Sequence, residues 1–212
     1  KKNNNKLDVY AGLDVIYDSG ATKKNQEYME EKGVKPLATY HYGEEPKLLK
    51  ELTDKYDYVA LGGMVPISNR ALISWLDQIF LKYTDENGFS TQKFHGFGLT
   101  SAELIKRYPW YSVDSTSWLK TGIFGGILTP WGKYAISPKS AGKPDHIDMQ
   151  PAHGKEMLFK YIKDKGFDLG KLMNTYHERD KFNLEFFLDM EKEINKEKKK
   201  FIAHKQKVLF DI

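Results

Sequence analysis

The feature that most constrains the fold is a repeating pattern, in which a short apolar run ends at Asp, Gly or Ser and an amphipathic segment follows. The five runs lie at residues 13–18, 37–43, 58–63, 94–98 and 111–115. Most of them are continuously apolar rather than alternating, which is typical of strands covered on both faces. Helical segments between successive runs favour parallel pairing of the strands. The sequence therefore predicts an α/β protein with a parallel sheet.

Signals for helix boundaries lie between the runs. Thr22 is placed to cap the first helix, which we expect to end near Gly33. Pro46 suits the first turn of the second helix, and Ser68 is placed to cap the third. Thr100 begins a Thr-Ser-Ala-Glu pattern that predicts a capping box for the fourth helix. These signals strengthen the prediction of alternating strands and helices.

A (β/α) barrel explains this alternation better than a doubly wound sheet, because no complete G-x-G-x-x-G fingerprint follows any of the runs. A closed barrel needs eight strands, and residues 122–137 resemble a hairpin rather than a further βα unit. We therefore predict a TIM (β/α) barrel portion over residues 1–137. It is either incomplete at its N-terminus, with its first strands before Lys1, or a degenerate barrel.

Residues 138–212 are predicted to form a loop and a C-terminal helical extension that packs on the barrel. The expected helices span 155–165, 169–177 and 180–205, the last with an apolar stripe. The net charge of +4 is concentrated in residues 191–207, which contain seven Lys and three Glu. This basic tail is interpreted either as a solvated helix end or as a contact for a phosphate backbone.

Composition excludes several classes of site. The chain contains no cysteine, which removes disulfides and thiolate zinc sites and fits a reducing compartment such as the cytoplasm. No run of about 18 apolar residues is present, so we expect no membrane span. His146, Asp148 and His153 share one loop, but their spacing matches no metal-ligand pattern, and we predict no metal site.

Polar residues and glycines recur where the predicted strands end. The carboxyl ends of parallel barrel strands converge on one face, where catalytic groups gather. Two carboxylates and two imidazoles at one such face could form an acid–base or nucleophilic site. Each residue could instead cap a helix or form a hydrogen bond in the core, and both interpretations remain open. The residues are Asp18, His41, Gly62, Gly63, His95, Gly96 and Asp114.

The glycines at these strand ends have a further interpretation. Without side chains, Gly62, Gly63, Gly96 and Gly98 let a flat ligand approach backbone N–H and C=O groups. Nearby aromatic residues could stack on a planar base, although each could equally pack in the core. Those aromatics are Tyr17, Tyr40, Phe97, Trp110 and Trp118.

Four motifs occur in a fixed order along the chain. They are Leu-Asp-Val-Ile-Tyr-Asp ending at residue 18, Ala-Leu-Gly-Gly-Met-Val over 60–65, Phe-His-Gly-Phe-Gly-Leu over 94–99, and Tyr-Ser-Val-Asp-Ser over 111–115. As an ordered set they resemble the tRNA-guanine transglycosylase superfamily. The similarity is greatest to its short phage-type members, which are queuine tRNA-ribosyltransferase-like and related to enzymes that insert 7-deazaguanines into DNA. It covers roughly residues 8–137.

The resemblance implies a TIM barrel that exchanges guanine for a 7-deazaguanine in a polynucleotide, with no cofactor. By motif, Asp114 matches the aspartate that attacks C1′, and Asp18 matches the strand-end aspartate that binds the amino and ring N–H groups of the base. Gly62 and Gly63 match the pair whose backbone contacts the base. A carboxylate can trap an oxocarbenium-like centre, as in retaining glycosidases. The implied partners are DNA or tRNA and a free 7-deazaguanine base, and we allow for a homodimer.

Three departures from the family pattern qualify this expectation. The family's other catalytic aspartate lies in an Asp-Ser-Gly-Gly-Phe-type motif, which is mimicked only by residues 18–22, so we expect the true motif before Lys1. The cysteine-rich zinc site that helps classical members to hold tRNA is absent, which favours DNA over tRNA. Residues 115–118, Ser-Thr-Ser-Trp, also differ from the classical Pro-Thr-Arg type.

Two alternatives from other functional classes remain open. The first is a non-catalytic nucleic-acid-binding or structural remnant of the same fold. The second is an unrelated TIM-barrel metal-dependent hydrolase that uses Asp18, His41 and His95.

Overall fold

The protein has a mixed α/β fold. A computed structural model describes residues 9–15, 18–65, 67–196 and 199–202. The chain consists of two compact units.

The first unit is drawn from Lys1–Ser115 and Lys198–Ile212, and the second from Thr116–Glu197. The division after Ser115 lies before the boundary predicted after residue 137. The difference arises because the hairpin that precedes residue 137 packs against the last long helix.

The first unit is built on a four-stranded parallel sheet. Its strands are β1 (Ala38–His41), β2 (Tyr58–Gly62), β3 (Lys93–Gly96) and β4 (Ser112–Val113), paired in the order β1-β2-β3-β4. Its helices are α1 (Ser19–Glu31), α2 (Pro46–Lys55), α3 (Asn69–Lys82) and α4 (Ala102–Arg107). The prediction of successive βα units with parallel strands is confirmed. The described residues contribute four strands to this sheet and do not form a closed barrel.

The two faces of the sheet differ in chemistry. On one face Tyr40 stacks on Trp75 of α3, and Phe94 packs edge-on against Phe80 of α3, with ring centroids 5.6 Å apart. Phe80 and Phe94 are fully buried, so this face forms the core. Because strand side chains alternate between faces, the opposite face carries the neighbouring residues in sequence. Its members include Thr39, His41, Ala60, Gly62, His95 and Ser112.

The first predicted strand, over residues 13–18, is wrong in its placement. The parallel pairing before β1 is a single bridge between Ala11 and Leu37, and residues 12–15 are irregular. Ile16 and Tyr17 lie outside the described residues. The apolar run therefore marked the right part of the chain but not the residues that pair.

Two predicted helix caps are also wrong. Asp18, not Thr22, caps α1 through a 2.9 Å hydrogen bond from the Ala21 N–H, while the Thr22 hydroxyl bonds the backbone of Val15. Ser101, not Thr100, caps α4. Pro46 and Ser68 begin α2 and α3 as predicted. In each error a neighbouring polar side chain reached the exposed N–H groups instead.

The predicted basic helix does not extend through the tail. The last helix ends at Ile194, and residues 199–202 are non-helical. Phe201 is buried against Phe80 and Tyr108, and its N–H donates to the Gly88 carbonyl at 2.8 Å. The tail thus includes an anchored segment of the first unit, while residues 197, 198 and 203–207 of the predicted tail lie outside the described part.

The second unit combines a hairpin with four helices. Its elements are α5 (Ser117–Ile123), β5 (Gly126–Thr129), β6 (Gly132–Ala135), α6 (Ala152–Asp164), α7 (Leu169–Asn174) and α8 (Tyr176–Ile194), with short 3₁₀ turns at Pro138–Ser140 and Ile147–Met149. Strands β5 and β6 are antiparallel, which confirms the predicted hairpin. The core joins Ile127 of the hairpin to Leu158, Leu172 and Phe182 of the helices.

The buried Arg179 side chain connects α8 to α5 and α7. Its guanidinium donates to the carbonyls of Gly122, Leu172 and Met173, at 2.7, 2.7 and 3.1 Å. These carbonyls lie near the ends of α5 and α7, where intrahelical partners run out. The Arg179 side chain therefore satisfies helix ends that hydrophobic packing alone would leave unpaired.

Candidate functional site

The candidate site lies at the carboxyl end of the sheet, on the face opposite α3. Parallel pairing places Ala60, His95 and Ser112 side by side across β2, β3 and β4. Two residues further along β1 and β2, on the same face, His41 lies beside Gly62. In parallel α/β sheets, the loops after the strands at this end are where ligands bind. The sheet register thus brings the predicted polar residues to a common edge.

Asp114 is held just past the end of β4. Its Oδ1 accepts a 2.7 Å hydrogen bond from the N–H of Gly98, in the loop after β3, and lies 3.5 Å from Nε2 of His95. Its own N–H donates to the Gly96 carbonyl at 3.2 Å. The carboxylate is 53% exposed whereas the His95 side chain is 13% exposed. Asp114 is therefore fixed by its neighbours yet open to a ligand.

His95 is the inner part of this arrangement. Its Nδ1 lies 2.6 Å from the hydroxyl of Ser112, which in turn is 2.5 Å from the hydroxyl of Tyr58. The ring of Phe97 packs edge-on against the imidazole, with centroids 4.6 Å apart. Burial lowers the pKa of His95, although the Asp114 carboxylate opposes the shift. The imidazole is therefore neutral around pH 7.

A second imidazole cluster lies at the end of β1. Nε2 of His41 is 3.4 Å from the Asp14 carboxylate, and Nδ1 is 3.4 Å from one carboxylate oxygen of Glu44. The other oxygen of Glu44 accepts a 2.7 Å hydrogen bond from the backbone N–H of His41. Hydrogen bonds to Asp14 and then Glu44, working against burial, raise the pKa of His41 to about 9. His41 is therefore an imidazolium at neutral pH, shared by two carboxylates.

Gly62, which is buried, and Gly63, which is exposed, lie beside His41. A Cβ added to Gly62 would lie 2.9 Å from the Thr39 methyl carbon and 3.1 Å from Cδ2 of His41. Gly63 has a φ of +69°, which strongly favours glycine. The close packing therefore excludes larger residues here. The Gly62 carbonyl accepts the Tyr42 N–H at 3.0 Å, whereas Gly63 is exposed.

The remaining predicted residues have other surroundings. A Cβ on Gly96 would point at Leu99 and Trp110, so the absent side chain serves core packing while the Gly96 carbonyl holds Asp114. Asp18 caps α1, and no contact in the described residues joins its carboxylate to Asp114. The sheet therefore gathers His41, Gly62, Gly63, His95 and Asp114, with Gly96 behind them.

Most of the aromatics proposed for stacking have packing partners instead. Tyr40 is buried on Trp75, and Trp110 packs edge-on to Phe80 and donates its ring N–H to the Leu104 carbonyl. Phe97 lies against His95 at the site. Trp118 lies in α5 of the other unit, and Tyr17 is outside the described residues.

The histidines in the described part of the chain are not arranged as a metal centre. His41 and His95 lie on β1 and β3, about 10 Å apart across two strand spacings. They contact different carboxylates, which are Asp14 and Glu44 for His41 and Asp114 for His95. Buried His146 bonds the Ser137 carbonyl and the Asp148 N–H. Among the described residues no group of three or more potential ligands is arranged to hold a metal ion.

Sequence reasoning missed four residues of the site. Asp14 and Glu44 flank His41, and Ser112 and Tyr58 extend the contacts of His95. Ser112 could have been found from the alternation in β4, since it lies two residues before Asp114 and shares its face. Asp14 lay within the first motif, but nothing in the sequence favoured it over Asp18.

Comparisons with known proteins add no family assignment. Searches with the sequence find no matching protein-family model and no matching curated protein. Within the described residues, no helix combines the length and the apolar character that crossing a membrane would require. The site geometry and the resemblance of the ordered motifs therefore remain as indications of function.

Proposed function

We propose that the protein is a nucleobase transglycosylase, which exchanges guanine for a 7-deazaguanine in a polynucleotide through a covalent bond to Asp114. DNA is favoured over tRNA as the polynucleotide. The observation that supports this most is the state of Asp114, a half-exposed carboxylate fixed by the Gly98 N–H beside a neutral imidazole. Sequential parallel βα units fit a TIM (β/α) barrel, which we include in the proposal.

The reaction balances without a cofactor. A carboxylate oxygen of Asp114 forms a bond to C1′ while the bond from C1′ to N9 of guanine breaks, and the base leaves with that electron pair and takes up a proton. The incoming 7-deazaguanine loses its proton at N9, bonds to C1′ and releases the carboxylate. One proton is gained and one is lost, so the exchange is neutral overall.

The second cluster suits recognition of the base. Asp14 is a partly exposed carboxylate, held by the His41 imidazolium next to the backbone of Gly62 and Gly63. A carboxylate accepts hydrogen bonds from the amino and ring N–H groups of a guanine-like base, and the exposed backbone of Gly63 supplies a further partner. In this proposal Asp14 takes the base-binding role expected of Asp18, because Asp18 is engaged at the start of α1.

Exposure favours Asp114 over Ser112 as the reacting group. A serine hydrolase presents its hydroxyl to the substrate and buries the carboxylate behind the histidine. Here the order is reversed, because the carboxylate is the exposed end and Ser112 lies on the inner side of His95, bonded to Tyr58. The arrangement therefore suits attack by the carboxylate.

The test is exchange of labelled guanine or 7-deazaguanine into DNA and tRNA, combined with mass spectrometry for a nucleic-acid adduct on Asp114. Asp114→Asn keeps an oxygen that can accept the Gly98 N–H but removes the nucleophile, so we expect exchange to fall at least 1,000-fold, on the order of a lost covalent route. Asp54→Asn, which alters an exposed carboxylate of α2, is the matched control.

Two results would contradict the proposal. Absence of exchange and adduct with wild-type protein on every polynucleotide would reject the activity. Undiminished exchange by Asp114→Asn would reject the assigned nucleophile. Tight base binding without exchange would instead support the non-catalytic alternative.

A further inference from the structure

We propose that Tyr58, Ser112 and His95 form a one-directional hydrogen-bond relay that holds His95 as the Nε2–H tautomer and presents this N–H to Asp114. The inference rests on the proposed function for its catalytic meaning, but its geometry stands apart from any reaction. The three side chains come from three adjacent strands, β2, β3 and β4. They are positioning residues that act through Asp114.

The direction of the relay follows from what each group can donate. A carboxylate accepts hydrogen bonds and cannot donate them, so the His95 nitrogen that faces Asp114 must carry the hydrogen. A neutral imidazole has one N–H, which leaves Nδ1 as an acceptor. The Ser112 hydroxyl, 2.6 Å from Nδ1, must then donate to it. The Ser112 oxygen is left to accept from Tyr58.

The surroundings keep the imidazole neutral, as this direction requires. The His95 side chain is mostly buried, and burial lowers its pKa. Asp114 is the charged group that it faces, while Tyr58 and Phe97 present aromatic rings edge-on to it. The separation of 3.5 Å between Nε2 and Oδ1 is long for a hydrogen bond, as is common at catalytic groups before substrate binds.

The relay gives Asp114 a specific advantage in a two-step transfer. Both N–H donors, from Gly98 and His95, face Oδ1 of Asp114. When Asp114 becomes an ester of C1′ it loses its charge, and it regains that charge when the second base displaces it. Donors already aimed at the carboxylate favour its departure, because they bond most strongly to the anion.

The direct test is nitrogen NMR of the imidazoles in the intact protein, which reports the nitrogen that carries the proton. The chain has six histidines, and comparison with His95→Gln assigns the signals of His95. We expect Nε2–H alone in wild type. Ser112→Ala removes the donor to Nδ1 and should populate both tautomers, whereas Ser112→Thr retains the hydroxyl and should keep the wild-type pattern. A wild-type Nδ1–H tautomer would overturn the relay.

Exchange kinetics separate this inference from the proposed function. We expect Ser112→Ala to lower the rate of exchange about 2- to 10-fold, the worth of one hydrogen bond between neutral groups, with most of the loss in kcat and recovery in Ser112→Thr. The predicted tautomer without wild-type exchange would keep the relay and reject the activity. Exchange without the predicted tautomer would do the reverse.

Discussion

The ion pairs of His41 predict a pH dependence of stability that can be calculated from the structure. Asp14 and Glu44 raise the pKa of His41 from 6.5 to about 9, and the unfolded chain keeps the ordinary value. Because the folded state holds the proton more tightly, the stabilisation is fully present below pH 6.5 and is lost as the pH rises through about 9. A shift of this size corresponds to about 3 kcal/mol.

The contribution is not reduced strongly by solvent, because the three side chains are only 20%, 27% and 17% exposed. Replacing His41 by Gln removes the titrating group. We therefore expect the wild-type free energy of unfolding to fall by about 3 kcal/mol more than that of His41→Gln between pH 6 and pH 10. The sign is the sharper part of the prediction, since an imidazole held neutral would give the opposite slope.

The assay is urea unfolding of the first unit, followed by tryptophan fluorescence. Trp118→Phe and Trp131→Phe leave Trp75 and Trp110 as the only tryptophans of the four in the sequence. Both belong to the first unit, and Trp75 contacts Tyr40 and Tyr42 on either side of His41 in sequence.

His153→Gln serves as the control, because it removes an exposed histidine from the other unit. Its stability should follow the wild-type dependence on pH. Identical pH dependence of wild type and His41→Gln would refute the imidazolium cluster, and with it the argument that His41 holds Asp14 in place.

Two further predictions concern packing. Phe201→Ala should lower the free energy of unfolding of the first unit by about 3 kcal/mol, because Phe201 is 5% exposed and packs against Phe80. The control Ile202→Ala changes a residue that is 73% exposed and should cost far less stability. Equal losses of stability for the two variants in thermal melts would disprove the anchoring role of Phe201. Gly62→Ala should lower the free energy of unfolding by about 1–3 kcal/mol, because the added methyl group clashes with the Thr39 methyl. It should also weaken the binding of a guanine-like base, which calorimetry can measure. Unchanged affinity would argue against a role of Gly62 in base binding.

Much of the fold followed from local signals in the sequence. Strands β1, β2 and β3 and the hairpin were predicted because continuous apolar runs bounded by glycine depend little on their distant neighbours. Helices α2 and α3 begin where Pro46 and Ser68 indicated. The last helix was predicted too long, since the composition of residues 191–207 favours a helix but cannot show that Phe201 has a buried place in the first unit.

The candidate site was only half predictable. His95 and Asp114 were singled out because they end neighbouring strands, and parallel pairing through Ser112 brings them together. The different roles of Asp14 and Asp18 could not be predicted, because both follow an apolar residue and they lie only four positions apart. The carboxylate of Asp18 accepts a hydrogen bond from a free N–H at the start of α1, whereas Asp14 pairs with His41.

The sequence by itself determined the order of strands and helices and the polar residues at the strand ends, because these depend on the periodicity of neighbouring residues. Only the tertiary structure decided which carboxylate meets which imidazole, and that His41 is charged while His95 is neutral. Those properties depend on sheet register, on burial and on contacts between residues far apart in the chain. A pattern confined to neighbouring residues does not specify any of the three.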